Sequence, residues 1–134
     1  MNEDLLKNLT KKLRQASADG AVSPEREAYM TGLELLRNGE VARASESFGR
    51  GARRADPPFD ALATVARGEC ERVRGRHGSA LRHWREVASR DSAPAAARYM
   101  AWLSIAALAA DRDDPTLLGR AEDALKRLQD SGEI

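Results

Sequence analysis

Residues 29–54, YMTGLELLRNGEVARASESFGRGARR, and residues 65–90, VARGECERVRGRHGSALRHWREVASR, state one spacing twice. In the first stretch Gly32, Gly39, Ala44 and Phe48 stand at offsets of 0, 7, 12 and 16. In the second, Gly68, Gly75, Ala80 and Trp84 stand at the same offsets, so all four positions are displaced by 36 residues. A displacement shared by small and aromatic positions alike is the mark of an internal repeat, and a period in the thirties is that of paired helices. Such pairs cannot bury their apolar faces alone and stack into a short solenoid. The sequence therefore predicts an all-α chain of helix-turn-helix units.

Working outward, four breaks share one device. Ser23-Pro24, Asp56-Pro57-Pro58, Ser92-Ala93-Pro94 and Asp114-Pro115 each set a capping side chain just before proline. The cap oxygen accepts from an orphan backbone N–H, and proline at the first helical position has no N–H to leave unsatisfied. Gly39 and Gly75 stand where a helix must stop and turn back. The reading is seven helices, at roughly 2–17, 24–37, 40–54, 58–74, 77–90, 94–111 and 115–129. Residues 1–20 form an amphipathic leading helix with Leu5, Leu6, Leu9 and Leu13 on one stripe. The repeat domain spans 23–130, with units of about 24–57, 58–93 and 94–129, and 131–134 form a frayed tail. No segment alternates as a half-buried strand does.

Composition agrees with helices. Charged residues make up 32% and aromatics 4% of the 134 residues, and the formal charge of +1 argues against a general polyanion binder. The charge is uneven: residues 43–90 hold 11 basic and 6 acidic groups, whereas 91–134 hold 5 and 8. The basic middle reads either as solvated helix faces or as a surface that steers an acidic partner. Cys70 is the only cysteine, so an internal disulfide is excluded and a reducing compartment is expected. The Met-Asn-Glu-Asp start lacks a basic region followed by an apolar one, and Met100–Ala110 is about half a membrane span. A cytoplasmic protein without membrane contact is the expectation.

With those positions in hand, the chain resembles the tetratricopeptide repeat family. Gly32 and Gly68 fill that family's small crossing position, Gly39 and Gly75 its turn, Ala44 and Ala80 its alanine, Phe48 and Trp84 its bulky position. Pro57 and Pro94 close the two units. In a third, Trp102, Ile105 and Ala106 match the first helix, and Ala121 and Leu125 match the second if the turn at 111–115 is about three residues longer. The resemblance implies a short right-handed superhelix of about seven helices. Its first helices would line a concave groove that binds a helical or extended apolar segment of a protein partner. The family's groove positions fall on Arg26, Tyr29, Leu33, Leu36 and Arg37 in the first unit. They fall on Leu62, Val65, Glu69, Arg72 and Val73 in the second, and on Met100, Leu103 and Ala107 in the third. Arg26, Arg37 and Arg72 would orient an acidic end of the ligand. Bacterial chaperones of translocator proteins are also similar in size, repeat number and leading helix, and often dimerise through the N-terminal region. A hydrophobic client held in the groove, a homodimer, and end-to-end self-assembly are therefore further expectations.

Other chemistries find weaker footing. Arg76-His77-Gly78 resembles the tripeptide that carries the catalytic histidine of histidine phosphatases, but it follows a helix rather than a strand. Cys70, His77 and His83 fit no zinc spacing. Arginines at 50, 53, 54, 67, 72, 74, 76, 82 and 85 could form a nucleic-acid patch, yet Trp84 and Phe59 are read as core and Glu69, Glu71 and Glu86 interrupt it. The expectation is a non-catalytic chain without metal or cofactor.

Overall fold

A computed structural model describes Lys7, Lys11, residues 24–54 and residues 57–134. Lys7 and Lys11 are helical and exposed; the rest of the leading helix, and the caps expected of Ser23 and Asp56, lie outside the described residues. Six further helices follow: α1 (Pro24–Arg37), α2 (Val41–Arg54), α3 (Phe59–Val73), α4 (His77–Ala88), α5 (Ala95–Asp111) and α6 (Pro115–Asp130). No strand occurs among the described residues. Each helix packs on the next in sequence, and α3 also touches α1 and α5. No comparable contact joins α2 to α4 or α4 to α6 among the described residues. The first helices of the pairs thus form one close layer, and the second helices stand apart outside it.

Sequence dictates which helix lies innermost. On α3, Phe59, 61–66 and 68–71 are all buried, because small and branched apolar residues cover most of its circumference. α6 is amphipathic and buries Ala121, Ala124 and Leu128 alone. The core runs between the layers from Tyr29 and Phe48 through Val65, Cys70 and Trp84 to Met100, Ile105 and Ala121.

The repeat is visible atom by atom. A β-carbon on Gly32 would stand 2.5 Å from the Phe48 ring, and one on Gly68 would stand 2.4 Å from the Trp84 indole. Each aromatic packs against bare backbone of the first helix of its own pair. A hydrogen bond from second helix to first accompanies each contact. Trp84 Nε1 donates to the Val65 carbonyl at 3.0 Å, and Ser47, beside Phe48, donates its hydroxyl to the Ala28 carbonyl.

The turns repeat as well. Gly39 N–H donates to Leu36 and Glu40 N–H to Leu35, and Gly75 and Arg76 do the same to Arg72 and Glu71. Both glycines adopt left-handed backbone, with φ of 81° and 78°. The third turn has the same pattern at Asp113 and Asp114, displaced by 38 residues, and Asp113 takes the glycine's place with φ 52°. Aspartate tolerates that region better than most residues. The turn at 111–115 is therefore no longer than its predecessors. The three extra residues before Ala121 are one further turn at the start of α6. Of the expected caps, Asp114 is present, accepting from Leu117 N–H at 3.1 Å. Pro94 itself precedes α5, with no side-chain cap.

These contacts set opposite signs on one substitution. Gly→Ala in a helix interior ordinarily stabilises by about 1 kcal/mol. Gly119→Ala, which meets nothing within 4 Å, follows that rule. Gly32→Ala meets a buried ring that Tyr29 backs at 5.8 Å between centroids, and overpacking costs about 1–3 kcal/mol. Urea unfolding of the two variants is expected to move the midpoint up for Gly119→Ala and down for Gly32→Ala.

Candidate interaction surface

The layer of α1, α3 and α5 carries the expected groove positions, and most of them are core. Tyr29 and Val65 are wholly buried, Met100, Leu62 and Leu33 nearly so, and Glu69 is buried too. The reason is the closeness of the layer, in which residues facing along it meet the neighbouring helix rather than solvent. Tyr29 lies between Phe48 and Phe59, at 5.8 and 6.4 Å between ring centroids. Its hydroxyl has no hydrogen-bond partner among the described residues, and burial holds its proton well above the usual phenol range. In the chain alone these six side chains are packed in the core rather than open to solvent.

The guanidiniums expected to orient a ligand are engaged within the fold. Arg26 stacks over the Phe59 ring at 4.7 Å. Arg72 grips Glu69 through Nε, at 3.0 and 3.1 Å to its two oxygens, and through Nη2. That bond, and more weakly Asp111 at the end of α5, holds Arg72 in its charged form. Arg37 pairs with Glu34 at 3.5 Å on the surface.

What the layer leaves open lies at its rim. Val73 is 50% exposed, Ala107 and Arg37 are exposed, and Leu36, Arg72 and Leu103 are half-buried. At two sets of equivalent positions burial fades toward α5. Tyr29 and Val65 are closed off whereas their equivalent Leu103 is half-buried, and Leu33 and Glu69 are buried whereas their equivalent Ala107 is exposed. Of the repeat positions, Ala44, Phe48, Ala80, Trp84 and Ala121 are wholly buried, whereas Trp102, Ala106 and Leu125 are partly so.

A separate open cleft of about 540 Å³ lies where the start of α4 meets the third turn. His77, Gly78, Leu81, Leu108, Arg112 and Asp114 are among its walls. His77 Nδ1 is buried there without a partner among the described residues, so the histidine of the Arg-His-Gly tripeptide opens α4 beside a cleft of mixed polar and apolar lining. His83, on α4, is half-buried, and its pKa is lowered from the ordinary value, first by burial and then by Arg67 and Arg82. Cys70 lies in the core, so the three residues do not converge, and no group of three metal-binding side chains occurs among the described residues.

Sequence reasoning missed the cleft, because a turn displaced by 38 rather than 36 residues sets its walls. Comparison with protein-family models, with curated proteins and with solved structures finds no match for this chain. No described helix is long and apolar enough to cross a membrane.

Burial pushes the Cys70 thiol up to about 12, with Glu69 and Glu71 adding to it. The thiolate is the reactive species. A thiol reagent is therefore expected to leave the folded chain unmodified at pH 8 and to label it on unfolding in urea, followed by mass. Rapid labelling without denaturant would contradict this placement. Because the folded pKa lies above the unfolded one, Cys70 also makes the fold lose stability as pH rises from about 9 toward 12.

Proposed function

We propose that this chain is a non-catalytic protein-interaction module of the tetratricopeptide-repeat kind, which presents the rim of its inner helix layer to an apolar segment of a partner. The observation that supports it best is the recurrence of one unit. The same aromatic-on-glycine contact and the same left-handed turn occur 36 residues apart, and the turn recurs in a third pair. Stacked units of that kind give an extended, preformed surface, and a rigid surface loses little conformational freedom on binding.

The contacts in this reading are Leu36, Arg37, Arg72, Val73, Leu103 and Ala107, which are the expected groove positions that reach solvent, Arg26 apart. Exposed Val73 beside the Arg72–Glu69 pair gives the strip an apolar patch with a charged margin. A helical or extended segment with apolar side chains on one side suits it.

Affinity capture followed by mass spectrometry identifies the partner, and two substitutions then test the strip. Leu36→Glu with Val73→Glu introduces charge at accessible positions, so the helical circular dichroism is expected to stay intact while the identified partner is lost. Val65→Glu, at a wholly buried position, is expected to unfold the chain instead. Undiminished capture by the Leu36/Val73 variant would contradict this surface.

A further inference from the structure

Four of the described carboxylates in the middle of the chain are taken up by a subset of its arginines. Arg90 holds Asp60 and Glu86, Arg72 holds Glu69, and Arg74 and Arg76 flank Glu71 at 3.6 Å each. Arg50, Arg53, Arg67, Arg82 and Arg85 are left with no carboxylate in ion-pair reach among the described residues. Against these five, one carboxylate of α2 and α4 stands exposed without an ion pair, that of Glu46.

Two of the five converge. At the place a β-carbon of Gly49 would occupy, Arg53 Nη1 comes within 3.5 Å and the guanidinium of Arg67 within 3.6 Å. Arg67, on α3, thus meets Gly49 and Arg53 of α2, and its charge acts on His83 of α4. Its Nε is buried and finds no acceptor among the described residues. Burial first, and then Arg67 and Arg82, lower the His83 pKa against the opposing pull of Glu71 and Glu86. Like charges drawn together around an unfilled donor are unfavourable until an anion bridges them, and guanidinium forks match carboxylate geometry.

We propose that the furrow between α2 and α4, floored by Arg67 and walled by Arg53, Arg82 and His83, docks an acidic peptide segment of a partner protein. The inference rests on the reading of the chain as a partner-binding module but assigns a second face, away from the inner strip. Nucleic acid fits less well. Base-stacking needs exposed aromatic faces; Tyr29, Phe48, Phe59 and Trp84 are buried, and the half-buried Tyr99 and Trp102 stand on α5 rather than on α2 or α4. The whole chain carries a formal charge of only +1. A short run of glutamate or aspartate needs no stacking platform and places an oxygen fork at each residue.

The test uses the full chain and a fluorescein-labelled oligoglutamate peptide, followed by anisotropy. Saturable binding that weakens steeply with salt is expected. Arg53→Gln with Arg67→Gln is expected to weaken it by about tenfold or more, and Arg67→Lys by less. The exposed pair Arg53→Gln with Arg82→Gln serves where the Arg67 variant fails to fold. Arg112→Gln with Arg120→Gln removes equal charge elsewhere and is expected to leave affinity within about twofold. Leu36→Glu with Val73→Glu is expected to leave the peptide bound, which separates failure of this site from failure of the inner strip. Absence of binding, or equal loss with the Arg112/Arg120 pair, would overturn the proposal. So would tighter binding of an oligouridylate of equal charge, which would make the furrow a nucleic-acid site. Concentration-dependent dimerisation lost in the Arg53/Arg67 variant would assign it to a second copy of the chain.

Discussion

A missing β-carbon under an aromatic ring sets the geometry of this molecule. With hydrogen alone at Gly32 and Gly68, the paired helices close until Phe48 and Trp84 lie on backbone. Any larger residue would hold them apart and break the accompanying donations to the Ala28 and Val65 carbonyls. Both rings are wholly buried, and aromatic truncation in a core costs about 3–5 kcal/mol. The left-handed turns at Gly39 and Gly75 then fix where each second helix sets out. Ring and turn together determine the crossing of each pair, and identical crossings are what allow pairs to stack.

The layered arrangement follows. First helices touch one another, while no comparable backbone contact joins the second helices among the described residues. This difference divides the chain's chemistry between two faces. On the first helices, Leu36 is half-buried and Val73 and Ala107 are exposed. Arginines with no carboxylate in ion-pair reach among the described residues include Arg53 and Arg67, which meet over Gly49.

Much of the fold was legible because its signal is local and periodic. The displacement of 36 residues located both crossings and both turns, and the helix bounds read from glycine and proline agree with the structure to within one or two residues. Asp113 hid the third turn, since no glycine marks it, and the offset before Ala121 was assigned to the turn instead of to α6. The surface was less legible. Helical spacing places Tyr29, Leu33, Val65 and Glu69 on one face of α1 and α3, but it does not say how near the next helix lies. Tight packing turned that face into core. The convergence of Arg53 with Arg67 joins residues 14 apart on different helices, and neither spacing nor composition encodes it.

A double-mutant cycle between Gly68→Ala and Trp84→Ala, read as unfolding free energies, tests the central contact most directly. With Trp84 present, the added methyl at position 68 is predicted to destabilise the chain. With the indole removed, the same methyl is predicted to stabilise it by up to about 1 kcal/mol, as helix propensity alone dictates. Equal effects of Gly68→Ala in both backgrounds would show that the ring does not lie on the glycine and would contradict the account.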